Sequence, residues 1–206
     1  TRESAGSMGL GGQKLAAFLY ELGSDKRRRL AKVLKTVYPQ LSELLAKSIR
    51  SGWKQLEIIE DYEGDDGQYI WPVMRTEARH INEGMLRQIA ILAELESEHG
   101  FLLFDEVENG VNPELVEFLL KELRDTDKQV VVTTHSPLIL NYLDDESARE
   151  SVIYLFKTKE GYTKSIRFFS IPSLKKKLTV MGPGEAFVDT NLVDLAEEIK
   201  SIPESV

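Results

Sequence analysis

Apolar residues recur every three or four positions over several stretches of the chain, and this spacing predicts amphipathic helices. The strongest example is EGMLRQIAILAELES at 83–97. Pro113 is placed to begin another helix, PELVEFLLKELRD, because proline is favoured in the first turn. The same spacing predicts further helices at 14–22, 25–38, 39–50, 136–143, 172–178 and 191–200.

Uninterrupted apolar runs that end in turn residues predict buried strands. FLLFDE at 101–106 and QVVVTTH at 129–135 are two such runs, separated by about one helix. Two hairpins are also predicted. The first joins 56–63 to 68–75 with Asp66-Gly67 at its tip, and the second spans 151–171 with its turn at Glu160-Gly161.

The order of these elements predicts an α/β fold. We expect a largely parallel sheet flanked by helices, with a helical segment at the N-terminus and a β-hairpin near the C-terminus. VMGPGEAF at 180–187 is predicted to be a loop. The sequence has no internal repeat and no low-complexity linker, so a single α/β unit with a helical extension is the simplest interpretation.

Composition narrows the classes of protein to which the chain can belong. The hydrophobic fraction of 42% is ordinary for a globular core. Cysteine is absent, which excludes disulfides and thiolate metal sites and agrees with a cytoplasmic location. No apolar run approaches the roughly 18 residues that span a membrane, so no membrane association is expected.

Charge argues against a surface that is basic overall, because the formal net charge is −8. Two basic clusters, Lys26–Arg29 and Lys175–Lys177, could still form a local patch for nucleic acid. We favour the simpler interpretation that both clusters are solvated helix faces.

The two predicted strands end in side chains that suit phosphate chemistry. Asp105 and Glu106 end the first run, and His135 ends the second. Because the carboxyl ends of neighbouring parallel strands meet at one crevice, all three are expected to face the same ligand. Asp105 would hold a magnesium ion through its waters, and Glu106 would accept a hydrogen bond from the attacking water. His135 would contact the γ-phosphate or that water.

Each of these residues also has a structural interpretation. Acidic residues commonly cap strands and helices, and a single histidine is more often buried or capping than catalytic. The continuation of Asp105-Glu106 into VENGVNPE, and the sequence TTHSP around His135, favour the functional interpretation.

A third element lies upstream, where HINEGMLRQIAIL begins a helix at Asn82-Glu83-Gly84. A helix start presents free N–H groups and the positive end of the helix dipole, which together attract anions. Gly84 precedes Asp105 by 21 residues, which leaves room for one helix and a return to the sheet.

A phosphate-binding loop ending in Gly-Lys-Ser or Gly-Lys-Thr does not occur in the sequence. The glycine-rich stretch GSMGLGGQK at 6–14 does not replace it, because no apolar strand precedes it and no Ser or Thr follows its lysine. We interpret this stretch as a flexible loop at a helix entry. The phosphate-binding part is therefore expected to lie outside this chain.

Taken in order, INEGMLR, FLLFDEVENG and TTHSP resemble the signature motif, the Walker B motif with its D-loop, and the switch histidine of ABC-type ATPases. The Glu-Asn-Gly at 108–110 is similar to the SMC/RecF/OLD branch, and GPGEAF at 182–187 resembles RecF/OLD-like ATPases of the anti-phage and toxin–antitoxin type. The resemblance is strongest over 80–143. It implies that 53–206 form the C-terminal lobe of an ABC-ATPase head and that 1–52 are a helical segment following its Walker A part.

The resemblance also implies roles for individual residues. Asn82 stands where the signature serine usually lies, and Gly84 stands where its second glycine lies. Both would contact the γ-phosphate of a nucleotide held by the opposite subunit. Asn109 and Asn112 fall in the D-loop and would bind nucleotide across the same interface, with Asn112 at a position where many members carry aspartate.

At the level of function, the resemblance implies ATP binding and hydrolysis with Mg²⁺ by two heads that enclose two ATP molecules, acting in DNA repair or in anti-phage or toxin-type defence. The expected partners are a second copy of the chain, the Walker A part of the same protein, and DNA or an effector protein. The chain alone is expected to bind ATP weakly and to hydrolyse it negligibly. A side chain at Gly84 is expected to block the partner's nucleotide and to leave the fold unchanged.

Two alternatives stay open. One is a non-hydrolysing, ATPase-like interaction module that binds a protein or nucleic-acid partner. The other is a metal-dependent nuclease that uses Asp105, Glu106 and Glu108. An intact Gly-Lys-Ser/Thr elsewhere in the natural protein favours the ATPase, its absence there favours the interaction module, and metal-dependent cutting of DNA without nucleotide favours the nuclease.

Overall fold

The computed structural model describes residues 6–9, 11–63 and 73–202. The chain divides into two compact units, and the boundary in the sequence lies between Thr133 and Thr134. The elements of the first unit are α1 Leu15–Glu21, α2 Gly23–Leu34, β1 Leu41–Ser48, β2 Lys54–Glu60, β3 Met74–Glu77, α3 Glu83–Leu95, β4 Phe101–Phe104, α4 Pro113–Arg124 and β5 Gln129–Val132. Those of the second unit are a 3₁₀ helix Pro137–Tyr142, α5 Asp145–Ser151, β6 Ile153–Lys157, β7 Thr163–Arg167, α6 Pro172–Lys177, α7 Pro183–Val188 and α8 Leu192–Ser201.

An antiparallel sheet in the order β1–β2–β3 forms one part of the first unit, and α1 and α2 pack against it. The side chains of Leu19, Leu34 and Leu56 are almost completely buried between these layers. The predicted strand at 56–63 is confirmed by β2. The predicted turn around Asp66-Gly67 lies outside the described residues, and the return strand β3 begins at Met74.

The helix predicted over 39–50 is wrong, because Leu41–Ser48 form strand β1. The pairing of β1 with β2 shifts between Leu41 and Glu43, and this irregularity inserts one extra residue into the strand. Leu41, Leu44 and Ala46 are buried as a result. Buried residues of a regular strand are two positions apart, but the extra residue places Leu41 and Leu44 three positions apart. This spacing resembles the period of a helix. Residues 1–52 are therefore not wholly helical, while the predicted division of the chain at residue 52 stays a prediction.

The predicted helix–strand–helix–strand order from 83 to 135 is confirmed by α3, β4, α4 and β5. β4 and β5 pair in parallel, with Phe101 opposite Gln129 and Phe104 opposite Val132. On one face of this pair Leu102 is buried, whereas Leu103 on the other face keeps 63% of its surface exposed. One face of the parallel pair is thus bare in the described part of the chain.

The α/β class is confirmed, but a largely parallel sheet is not found among the described residues. β4–β5 is the parallel pair there, and the sheets β1–β2–β3 and β6–β7 are antiparallel. Parallel strands need a long crossover connection, whereas β1 and β2 are joined by five residues and β6 and β7 by a short turn with Gly161 at positive φ. Connections of this length force antiparallel pairing.

The second unit is built around its own hydrophobic core. The hairpin β6–β7 confirms the prediction for 151–171, and its inward face carries Tyr154, Phe156 and Ile166. These side chains pack against a cluster of buried residues contributed by the helices and by the segment after β7, namely Ala148, Phe168, Phe169, Ile171, Leu174, Leu178, Ala186, Leu195 and Ile199.

The loop predicted for VMGPGEAF is wrong, because Pro183–Val188 form helix α7. Proline occupies its first turn, and the side chain of Glu185 accepts a hydrogen bond from the N–H of Gly182 at 3.3 Å. A Cβ atom at Gly184 would overlap the side chain of Asn141, so glycine permits α7 to pack closely on the 3₁₀ helix. Within residues 6–9, 11–63 and 73–202, no helix is long and apolar enough to cross a membrane.

Candidate functional site

The carboxyl ends of β4 and β5 lie side by side, which brings Asp105 next to Thr133. The ladder continues one step beyond the strands, because the N–H of Thr133 donates to the carbonyl of Phe104 at 2.9 Å. The N–H of Val107 then donates to the carbonyl of Thr133 at 3.2 Å. The parallel register therefore fixes Asp105 and Glu106 at this end of the sheet, as the sequence predicted.

The hydroxyl of Thr133 connects both acidic residues. It donates to Oδ1 of Asp105, and it accepts a hydrogen bond from the backbone N–H of Glu106 at 2.9 Å. One hydroxyl can do both because it carries one donor and two acceptor positions. This contact of Thr133 was not among the predictions from the sequence. A hydroxyl residue directly after one strand, opposite an acid directly after its parallel neighbour, is the signal that could have found it.

The backbone of Glu106 adopts a positive φ of 47°. This is the left-handed region, which residues other than glycine rarely occupy. The carbonyl of Glu106 accepts a hydrogen bond from the N–H of Asn109 at 2.9 Å, so the chain turns sharply after the two acids. Val107, inside this turn, is fully buried and anchors it.

Arg87 of helix α3 also binds the backbone of the two acids. Its guanidinium donates to the carbonyl of Asp105 at 2.7 Å and to the carbonyl of Glu106 at 2.6 Å. Its Nε is buried and has no hydrogen-bond partner in the described part of the chain. Arg87 is not recognisable from the sequence, because an arginine in a helix gives no sign of its tertiary acceptors.

Asn109 contacts Glu106 within the same chain. Its side-chain Nδ2 donates to Oε2 of Glu106 at 3.1 Å. Asn112, the other predicted D-loop residue, is exposed and precedes α4, and its side chain makes no capping bond to that helix. The predicted contacts of Asn109 and Asn112 with a nucleotide across an interface stay predictions.

Asn82 and Gly84 lie at the start of α3, as predicted. The side-chain oxygen of Asn82 accepts a hydrogen bond from the N–H of Met85 at 2.8 Å and caps the helix. Asn82 is exposed and retains its amide as a donor. Contact of either residue with a nucleotide stays a prediction.

Gly84 is packed against the backbone of its own chain. A Cβ atom at this position would overlap the carbonyl oxygen of Gly110, in the loop that follows Glu106. The expectation that a side chain at Gly84 would leave the fold unchanged is therefore wrong. The cause is steric, because a backbone carbonyl cannot move aside as a flexible side chain can.

The exposed carboxylate of Asp105 fits the chemistry of a hydrated magnesium ion. Such an ion keeps most of its waters and takes only one or two carboxylates, so a single exposed carboxylate is compatible with it. Among the described residues, no group of three or more His, Asp or Glu side chains is arranged to hold a metal ion. The trio Asp105, Glu106 and Glu108 of the nuclease alternative does not form such a group.

His135 belongs to the second unit and is exposed. The structural interpretation of this residue as a buried histidine is therefore excluded. Its predicted contact with a γ-phosphate or with an attacking water stays a prediction.

The basic cluster Lys26–Arg29 is satisfied by groups of its own unit. Lys26 pairs with Glu98 at 2.6 Å and Arg29 with Glu96 at 2.7 Å. The hydrogen bond from Lys26 holds the pKa of the Glu98 carboxyl below its usual value. The remaining two cations also have partners, Asp25 for Arg28 and the carbonyl of Leu19 for Arg27. These pairs support the solvated-face interpretation over a nucleic-acid patch.

Comparisons with known proteins concern the family and the fold of the chain. Residues 75–141 match the family model described as "AAA domain, putative AbiEii toxin, Type IV TA system". No curated protein matches the chain. A solved structure from work on the ATP-driven dimerization and DNA-stimulated activation of SMC ATPases is similar, with a TM-score of 0.54 and 15% identity. The alignment covers 84% of this chain and 97% of that one, so the chain shares the fold of that structure.

Proposed function

We propose that this chain carries the signature, Walker B, D-loop and switch elements of an ABC-type ATPase, and that it binds and hydrolyses ATP in a dimer of two heads. In this proposal Asp105 holds the waters of a magnesium ion, and Glu106 orients the attacking water. His135 contacts the γ-phosphate or that water, while Asn82, Gly84 and Asn112 face the nucleotide of the opposite subunit. Bound magnesium would neutralise charge that develops on the phosphates.

The observation that carries the proposal is the placement of Asp105 and Glu106 by one hydroxyl. Thr133 binds the carboxylate of Asp105 and the backbone of Glu106 at the shared end of two parallel strands. Ligands of α/β sheets bind outside the carboxyl ends of the strands. Arg87 of α3 also binds the backbone carbonyls of both acids. Acids that only capped a strand would not require this second contact.

The comparisons support the same assignment at a coarser level. The matched residues 75–141 contain every site residue that the sequence analysis named. The similar solved structure supports the fold, and the work that produced it concerns ATP-driven dimerization of SMC ATPases. The narrower assignment to the RecF/OLD branch, and a role in DNA repair or in anti-phage or toxin-type defence, belong to this proposal.

A further segment that supplies the phosphate-binding loop is part of the proposal. The bare face of β4–β5 supports it, since Phe101 is 54%, Leu103 63% and Val131 41% exposed. Parallel strands are normally covered on both faces, so another layer is expected there. We propose that the Walker A part of the same protein provides this layer, and that DNA or an effector protein is a further partner.

The test is Glu106→Gln in the complete natural protein, with Glu117→Gln on the exposed face of α4 as the matched control. The variant keeps the shape of Glu106 and removes the charge that orients water. ATP turnover should fall by roughly 10²–10⁴-fold, the usual contribution of a positioned base. ATP binding should survive, and dimers with trapped ATP should accumulate on size-exclusion chromatography.

Other results would select the alternatives. Normal turnover in Glu106→Gln would refute the Walker B assignment. Tight binding of a protein or nucleic acid by a wild-type protein that never hydrolyses ATP would select the interaction module. Metal-dependent DNA cleavage without nucleotide, lost in Asp105→Asn, would select the nuclease.

A further inference from the structure

We propose that Asn109 is a positioning residue for Glu106 of its own chain. The D-loop resemblance alone would place this side chain on the nucleotide of the opposite subunit. The structure shows it instead donating to Oε2 of Glu106 at 3.1 Å. This inference rests on the proposed function, because it concerns the residue that orients the attacking water.

The turn after Glu106 brings the two side chains together. The N–H of Asn109 donates to the carbonyl of Glu106 at 2.9 Å, which closes a tight turn of four residues, 106–109. Glu106 has a left-handed φ of 47° in this turn, and its carboxylate accepts the hydrogen bond from the side chain of Asn109. The contact is thus a consequence of the backbone path, and two hydrogen bonds link the same pair of residues.

The far side of Asn109 is also anchored. Gly110, the next residue, has a positive φ of 70°, and its carbonyl oxygen lies against Gly84 at the start of α3. Asn109 is therefore held between the turn of Glu106 and the first turn of α3. The side chain of asparagine has only two rotatable bonds, so on a fixed backbone it can hold the carboxylate of Glu106 in one position.

A hydrogen bond that restricts the side chain matters more for glutamate than for the shorter aspartate. Its side chain has several rotatable bonds, and an exposed one samples many rotamers. A base must lie about 2.6–3.2 Å from the oxygen whose proton it accepts, and a displacement of about 1 Å can lower the rate about 10²-fold. Asn109 restricts the rotamers of Glu106 with a neutral amide and leaves its charge intact.

The bond from Asn109 is compatible with the role of Glu106 in catalysis. A carboxylate has two oxygens with about four acceptor positions, so it can accept from the amide and from a water at once. An acidic residue at 109 would instead repel Glu106 at the same distance. The sequence ENG after Val107 therefore supplies a donor at the position where a carboxylate would disrupt the site.

The first experiment measures steady-state ATP hydrolysis of the complete natural protein with Asn109→Ala and Asn109→Asp. Turnover should fall about 10-fold in Asn109→Ala and further in Asn109→Asp, with the KM for ATP unchanged within about twofold. The matched control is Asn191→Asp, which adds the same charge at the N-cap of α8, where aspartate is as good a cap as asparagine. The control should retain wild-type turnover.

The second experiment separates a contact within the chain from a contact across the dimer. Asn109→Ala is combined with Glu106→Gln, and ATP-dependent dimers are measured by size-exclusion chromatography. A residue that acts through the Glu106 carboxylate has no further effect once that charge is gone, so the double variant should dimerise and turn over as Glu106→Gln does. A residue that binds the partner's nucleotide would lower dimerisation in both backgrounds.

Each outcome decides the question. If wild type hydrolyses ATP and Glu106→Gln does not, but Asn109→Ala matches wild type, the inference is overturned and the proposed function stands. Loss of dimers in the double variant also overturns it, in favour of the contact across the dimer. If Glu106→Gln hydrolyses ATP normally, the proposed function fails and the inference fails with it. Thermal unfolding of Asn109→Asp checks that the variants are folded.

Discussion

A Cβ atom on Gly84 would overlap the carbonyl oxygen of Gly110 and lie 3.4 Å from its carbonyl carbon. The start of helix α3 and the loop after Glu106 therefore pack backbone against backbone. Both segments contain residues that are proposed to face nucleotide. Neither segment can move toward the other without displacing it, because no space is left between the two backbones.

Gly84→Ala tests this contact. The added methyl group should destabilise the chain by about 1–3 kcal/mol, the usual effect of overpacking, and lower its melting temperature by about 2–4 °C for each kcal/mol. Thermal or urea unfolding of the chain provides the measurement. Gly100→Ala is the matched control, because a Cβ atom there has no neighbour within 4 Å. Equal stability of the two variants would show that the close approach is not present in solution.

Thr133→Val removes the hydroxyl and keeps the shape of the side chain. Asp105 then loses a donor and the N–H of Glu106 loses an acceptor. We expect ATP turnover of the complete protein to fall by about 10–10²-fold, since both acids lose their fixed positions. Thr133→Ser retains the hydroxyl and should keep most of the activity. Comparable turnover in the valine and serine variants would show that the hydroxyl of Thr133 does not contribute to ATP hydrolysis.

Arg87→Met removes the guanidinium that binds two backbone carbonyls. Hydrogen bonds from charged donors contribute about 1.5–3 kcal/mol, so a loss of stability in this range is expected. Denaturant unfolding measures it, and hydrogen exchange should show faster exchange at the N–H of Asn109, whose acceptor is the carbonyl of Glu106. Arg79→Met is the control, because Arg79 is exposed and pairs only with Glu77 at 3.1 Å among its described salt bridges. A stability of Arg87→Met equal to that of the control would mean that the guanidinium contributes nothing to holding the turn.

The segment from α3 to β5 was predictable because its local and tertiary signals agree. The apolar period of α3 matches its buried face, which includes Met85, Ile89 and Leu92, and Pro113 begins α4 as its preference suggests. The acids at 105 and 106 follow a strand and could be placed at its end without any structure. Strand β1 was not predictable in the same way, because the irregularity near Leu41 gives its buried residues a helical spacing.

The contacts that hold the site could not be predicted from the sequence. Arg87 binds carbonyls 18 and 19 residues away, and Thr133 reaches Asp105 across 28 residues. Backbone acceptors leave no mark in the sequence, since every residue has a carbonyl. The left-handed backbone of Glu106 was equally hidden, because glutamate is not a residue that predicts it.

The backbone conformation at position 106 favours some residue types over others. A left-handed conformation costs a side-chain-bearing residue about 1–2 kcal/mol, and glycine adopts it with little penalty. Glycine at position 106 would therefore increase the free energy of unfolding, and asparagine would be the next most favourable residue. A lineage in which the carboxylate had lost its use would drift toward either of them. This chain carries glutamate where folding alone favours glycine or asparagine, which is the pattern expected if the carboxylate performs the proposed chemistry.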